Sequence, residues 1–168
     1  KCNLPQGYDI AINNKGLREV HKPRMFLSKE EMIMGRQIVN QVKERLQKEK
    51  TVIIQPFGRG VQHVDNSFID NTGRSIEYKD FKALIKKLQE QDFAVISMAE
   101  MGFDFSKDKL PFDVAMPEQV SLRHWTAAIK FTNHFIGCDS VGQHLAYIMD
   151  TPSTVICGPT FPINISYP

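Results

Sequence analysis

Apolar residues along this chain fall into two kinds of segment that alternate, short continuous runs and longer stretches with a helical period. Thr51–Phe57 (TVIIQPF), Phe93–Met98 (FAVISM), His134–Cys138 (HFIGC) and Ser153–Cys157 (STVIC) are of the first kind. Strands buried on both faces read this way, because neither side of the pleat meets water. Phe112–Met116 predicts a further short strand, cut off by Pro117. Between these runs the period lengthens. Ser28-Lys29-Glu30-Glu31 has the form of a capping box, and the helix it opens, to about Glu49, carries Met34, Ile38, Val39, Val42 and Leu46 on one face. Phe81, Leu84, Ile85 and Leu88 give a helix over Tyr78 to Gln91 an inner stripe, with lysines outside. Ser121 caps a helix to about Thr132 whose stripe is Leu122, Trp125 and Ile129. From Val141 to Met149 the spacing puts Val141, Leu145, Ile148 and Met149 toward a sheet and turns Gln143, Tyr147 and Asp150 elsewhere.

Short strands joined through helices predict parallel pairing, since parallel neighbours need a crossover and a helix is the usual one. The expected fold class is therefore α/β, a Rossmann-like three-layer sandwich on a mostly parallel, doubly wound sheet. It should occupy residues 28–168. Residues 1–27 carry Pro5, Gly7, Asn13, Asn14, Gly16 and Pro23, and read as an irregular lead-in or linker. Val61–Ser75 reads as a long polar loop with turn chemistry at Asp70-Asn71-Thr72-Gly73, and Ala99–Pro111 as a second loop. Phe161–Pro168 is a proline-bounded tail.

Composition changes this picture little. At 168 residues, 42% hydrophobic and 24% charged, the chain suits one soluble globular domain with a sizeable core. A net charge of +2, with lysines scattered among acids, does not point to nucleic acid or a membrane surface. No run approaches the roughly 18 apolar residues of a membrane span, so a cytoplasmic location is expected. Cys2, Cys138 and Cys157 lack metal-type spacing and read as reduced thiols, the last two in the core. His21, His63, His124, His134 and His144 form no zinc-type pair, so no metal is expected. The first strand lacks a Gly-x-Gly-x-x-Gly after it, which argues against a nicotinamide cofactor.

Candidate chemistry concentrates in the last third. The strand His134–Cys138 turns at Asp139-Ser140 directly into a helix, and anionic ligands bind at such helix starts in this class of fold. His144 lies one turn in, within reach of a ligand held there. Taken singly, Asp139 and Ser140 also fit a plain cap, and His144 a boundary histidine. Gly58-Arg59-Gly60 follows the first strand, where a glycine-rich turn can cradle phosphate or simply reverse the chain. Arg74, just before a helix, reads as either a phosphate-neutralising group or an exposed loop arginine, and Glu100 as a loop carboxylate.

Asp139-Ser140-Val141-Gly142-Gln143-His144-Leu145-Ala146, then Asp150-Thr151-Pro152, then an apolar strand closing on Gly158-Pro159-Thr160, resembles the donor-binding pattern of glycosyltransferase family 9, the heptosyltransferases. The family pattern has glycine directly after the Ser/Thr; here Val141 stands there and the glycine is displaced to Gly142. The resemblance implies the carboxy-terminal half of a GT-B fold, binding a nucleotide diphosphate sugar for transfer to a glycan or lipid-linked acceptor. It also implies an amino-terminal half elsewhere, since the chain has room for one Rossmann-like unit. On that reading Ser140, the amides of Val141, Gly142 and Gln143, and His144 hold the diphosphate, while Asp139 accepts hydrogen bonds from sugar hydroxyls. Arg59 or Arg74 balances leaving-group charge, the Gly58 and Gly60 turn lies near the donor, and Glu100 helps hold the base. The donor is the substrate and no cofactor is implied; no residue stands out as catalytic base. Two alternatives remain open, a non-catalytic interaction domain of the same fold and a nucleotide-sugar hydrolase or epimerase.

Overall fold

The computed structural model describes residues 4–19, 21–64, 67–98, 114–115 and 120–165. In chain order the elements are α1 (Leu4–Asn13), α2 (Lys29–Leu46), β1 (Lys50–Gln55), β2 (Val61–Val64), β3 (Ser67–Asp70), α3 (Tyr78–Glu90), β4 (Phe93–Ser97), β5 (Val114–Ala115), α4 (Leu122–Phe131), β6 (His134–Cys138), α5 (Val141–Ile148), β7 (Ser153–Ile156) and α6 (Pro162–Ile165). The main sheet runs β5-β4-β1-β6-β7, and every pairing in it is parallel. Central β1 is buried from Thr51 to Gln55, as its unbroken apolar run requires.

Side chains alternate between two cores. Ile53, Ala94, Ile96 and Phe135 meet Val39 and Val42 of α2, Trp125, Ala128 and Ile129 of α4, and Leu145 and Ala146 of α5. On the other face Val52, Ile54, Val95, Ile136 and Cys138 pack with Phe81 and Ile85 of α3, together with Phe57 and Ile76. Helices thus cover both faces of a parallel sheet, a Rossmann-like three-layer sandwich. The Ser28 capping box forms as its sequence predicts: Glu31 N donates to Ser28 Oγ at 3.1 Å, and Ser28 N to Glu31 Oε2 at 2.7 Å. Glu31 also pairs with Arg123 of α4, whose hydrogen bond, helped by that from the Ser28 amide, holds the carboxyl at about 2.

Three expectations need correction. Leu4–Asn13, within the stretch expected to be irregular, form a helix; Pro5 sits in its first turn, where a missing N–H costs nothing. Val61–Ser75 is not all loop, because β2 and β3 pair antiparallel, Val61 opposite Asp70 and Val64 opposite Ser67. The hairpin is pinned by aromatic packing, with Phe68 stacked on Phe57 at 4.9 Å and tilted against Tyr78 at 4.7 Å. Finally, α5 is rotated from the expected stripe: Gly142, Gln143, Leu145 and Ala146 are buried, whereas Val141 is 40% exposed. Of Phe112–Met116, Val114–Ala115 are described and form the edge strand β5.

Candidate functional site

Strand order fixes where a ligand crevice must lie. The connection leaving β1 runs through α3 to β4 on one side, whereas that leaving β6 runs through α5 to β7 on the other. Chain direction diverges between the carboxyl ends of β1 and β6, the topological switch point at which open α/β sheets bind ligands. Gln55 ends β1 and faces Gly137 of β6 in register; Asp139 and Ser140 follow β6 directly.

Gln55 was not foreseen as a site residue. Its Oε1 accepts the Gly142 amide at 2.9 Å, and its Nε2 donates to Ser140 Oγ at 3.1 Å. Ser140 is the N-cap of α5 by backbone geometry, yet its hydroxyl makes no bond to the helix amides. The expected side-chain cap is therefore supplied in part by Gln55, reaching across from β1. Its sequence signal was a polar residue at the end of an otherwise apolar strand. Gly142 makes this contact possible, since a β-carbon there would lie 2.4 Å from Gln55 Oε1 and 2.3 Å from the Phe135 ring. Gly137 is needed for the same ring, which a β-carbon would approach to 2.7 Å.

Asp139 is 8% exposed and engaged on both oxygens. Gln143 Nε2 donates to Oδ1 at 3.0 Å, and Thr160 Oγ1 to Oδ2 at 2.6 Å. The carboxylate thus ties the start of α5 to the loop after β7, and this bond explains why Gln143 points inward. Half-buried His144 lies beside Gln143, its Nε2 3.5 Å from Gln143 Nε2. Burial lowers the His144 pKa below its ordinary 6.5, against the opposing pull of the Asp139 charge.

The turn before α3 forms the facing wall. Asp70 Oδ1 accepts from Thr72 N at 2.8 Å and Thr72 Oγ1 at 2.5 Å; its Oδ2 accepts from Ser75 N at 2.9 Å and Ser75 Oγ at 2.5 Å. Ser75 Oγ in turn accepts the Gly58 amide at 3.0 Å, and Arg74 Nε donates to Thr72 Oγ1 at 3.3 Å. Desolvation alone would raise the Asp70 pKa, but the bonds from Ser75 and Thr72 prevail and hold it at about 2. This turn packs on the loop after β7: a β-carbon at Gly158 would lie 2.0 Å from Gly73 O and 3.4 Å from Arg74 Cα. The Arg74 charge is felt at Cys138, whose thiol burial and the Asp139 charge push up to about 11 against it.

Of the anticipated residues, Asp139, Ser140, Gly142, Gln143 and His144 come together with Arg74 nearby. Val141 turns its side chain to solvent, and Arg59 is exposed at the tip of the Gly58 and Gly60 turn. A β-carbon at Gly60 would lie 3.0 Å from Asp70 Oδ1 and Thr72 Cγ2, which gives the glycine a packing role within that turn. Glu100 lies outside the described residues. A cavity of about 590 Å³ runs along the flank of α5, between Ala146, Tyr147, Val155, Cys157 and Ile165. Its walls are mainly apolar and it touches the polar crevice through Gln143; the hydrogen-bonding groups of Asp139, Ser140 and Gln55 lie in the crevice instead. Among the described residues no cluster of three or more His, Cys, Asp or Glu is placed to hold a metal, and no helix is long and apolar enough to cross a membrane.

Comparison with solved structures then gives the architecture its place. The chain is similar to a glycosyl transferase of family 9 from Veillonella parvula, with a TM-score of 0.73 and 10% identity over 97% of this chain and 46% of that one. The fold is that of one GT-B half. It is also similar to the E. coli ADP-heptose LPS heptosyltransferase II, with a TM-score of 0.58 and 11% identity over 89% of this chain and 45% of that one. A third similar structure is E. coli heptosyltransferase WaaC with ADP-2-deoxy-2-fluoro heptose, with a TM-score of 0.54 and 14% identity over 69% of this chain and 35% of that one. The chain thus spans about half the length of the first two. No family model and no curated protein matches its sequence.

Proposed function

We propose that this chain is the nucleotide-sugar-binding half of a glycosyltransferase, receiving a nucleoside diphosphate sugar in the crevice between β1 and β6. The reading is supported by the α5 amino end and the Ser140 hydroxyl lying at the switch point, with the Arg74 charge near enough to be felt at Cys138. Those are the groups a diphosphate needs: oriented donors, the positive end of a helix and a cation. The fold shared with heptosyltransferases, one of them with an ADP-sugar analogue, supports the same class of donor.

In the transfer, an acceptor oxygen forms a bond to the anomeric carbon as the bond from that carbon to the β-phosphate oxygen breaks. Negative charge collects on the departing diphosphate. Donors fixed at that position before the reaction stabilise the transition state without reorganising. Arg74 is better placed for this than Arg59, because its backbone is wedged against Gly158 and its Nε is tied to Thr72. Burial disfavours the charged form of His144, which suits it to serve as a hydrogen-bonding group rather than a cation. Asp139 first holds Gln143 and Thr160; a carboxylate has about four acceptor sites, so it retains capacity for a sugar hydroxyl. A base for the acceptor hydroxyl is needed, and on this reading it comes with the acceptor from a second domain.

Titration calorimetry and thermal unfolding with ADP, UDP, GDP and CDP and with their sugars test this. One nucleoside diphosphate should bind, stabilising the fold by about 2.7 kcal/mol at a hundredfold excess over Kd, and Arg74→Ala should weaken it about tenfold, the worth of one charge-assisted contact. Silence from all of them at millimolar concentration would overturn the reading. It would favour a domain that keeps the fold for protein interaction, a reading that draws on the Gly142 amide being occupied by Gln55.

A further inference from the structure

The two ends of the Gln55 amide are not interchangeable, and this fixes the direction of the hydrogen bond at Ser140. A backbone N–H only donates, so the atom facing Gly142 N at 2.9 Å is the oxygen of Gln55. The atom facing Ser140 Oγ at 3.1 Å is then the NH₂ group, which only donates. Ser140 Oγ must accept from Gln55, and its single hydrogen points away from that bond. The hydroxyl is not spent on the helix either, for it makes no cap bond to the α5 amides. Gln55 is 8% exposed and locked under Gly142, whereas Ser140 is half-buried and reaches solvent.

We infer that Gln55 is a positioning residue that presents Ser140 to the crevice as a hydrogen donor, selecting ligands that offer an acceptor there, phosphate oxygens above all. This rests on the donor-site reading and adds a residue to it. Gln55 does not touch the ligand; it acts through Ser140. In place of the amide, a carboxylate at position 55 would accept from both Gly142 N and Ser140 Oγ–H. Ser140 would then turn an acceptor lone pair toward the crevice and repel a phosphate.

Gln55→Glu tests this because protonation reverses it. A neutral carboxylic acid has one acceptor oxygen and one O–H donor, the same pattern as the amide. Burial raises the pKa of such a group, so the variant passes from the wrong polarity to the right one as pH falls. ADP affinity is measured for parent and Gln55→Glu between pH 8 and pH 5, and the ratio of the two removes the titration of ADP itself. The variant should bind about tenfold more weakly at pH 8, a loss of one charge-assisted bond, and the gap should close on acidification. Ser140→Ala should weaken ADP about tenfold in the parent and little further in Gln55→Glu at pH 8. Gln55→Met, which removes both these bonds and that from Nε2 to Phe57 O at 3.5 Å without adding charge, checks that the effect follows polarity: its ratio to parent should not vary with pH. If Gln55→Glu binds like the parent, or its deficit is the same at every pH, the positioning role is wrong while the site stands. If the parent itself does not bind ADP or any other nucleoside diphosphate, both fall together.

Discussion

Asp70 accepts four hydrogen bonds within a turn of six residues, and through Ser75 it holds the Gly58 amide at the end of β1. An asparagine cannot accept on both sides, so Asp70→Asn leaves Ser75 or Thr72 facing a donor. The expected loss is about 1–2 kcal/mol at pH 7, the worth of a hydrogen bond to a charged group in a half-exposed turn. Its pH dependence has a definite sign. The carboxyl falls from an ordinary 3.8 to about 2 in the fold, so the stability it contributes is present above pH 4 and is lost as pH falls through 2. Urea unfolding at steps between pH 5 and pH 2 should show a steeper decline in the parent than in Asp70→Asn. Ser97 is the opposite case: 1% exposed on β4, its hydroxyl has no hydrogen-bond partner among the described residues. Ser97→Ala removes that cost and should leave stability unchanged or raise it by about 1 kcal/mol, read from the urea midpoint at constant slope.

At the scale of elements, legibility followed the reach of the forces involved. The strands could be read because burial on both faces is written into a continuous apolar run, and α2 because its capping box is local. The β2–β3 hairpin could not, since what pins it is Phe68 stacking on Phe57 and Tyr78, residues that pattern alone does not bring together. The rotation of α5 escaped for the same reason: Gln143 is drawn in by Asp139, and Gly142 by Phe135 and Gln55. The displaced glycine of the family-like motif thus has a packing purpose of its own. So do Gly158, seated on Gly73, and Thr160, bonded to Asp139; the motif was legible as an ordered set, and Gln55 was not, because its meaning depends on register with Gly137. Gly35 shows the same dependence between helices. A β-carbon there would lie 2.4 Å from Ala127 Cβ and 2.5 Å from the Ala127 carbonyl carbon of α4. Gly35→Val should force α2 from α4 and cost about 3 kcal/mol, the upper range for overpacking, measured by thermal or urea unfolding with ordinary helix content retained.

At the scale of the whole molecule, the faces of the sheet are covered by helices, and among the described residues neither edge strand, β5 nor β7, has a partner on its outer side. Among the described residues nothing pairs with the outer side of β7, and the strand is exposed along most of its length. Ile156 is 41% exposed there, with Phe161 at 73% and Ile163 at 60% just beyond, beside the apolar cavity along α5. An open strand edge offers unpaired N–H and C=O groups to any other chain, and exposed apolar side chains remove the usual deterrent. Neither charge nor proline protects this edge between Ser153 and Ile156. The chain on its own should therefore self-associate as concentration rises, through β7. Ile156→Lys places a charge on the exposed face of that strand without touching either core, so it should suppress association while leaving the unfolding temperature within the small range expected of a surface change, about ±0.5 kcal/mol in stability. Sedimentation velocity across a concentration series on both proteins decides the matter. A parent that stays monomeric throughout overturns the prediction, whereas association unaffected by Ile156→Lys moves the contact to another surface.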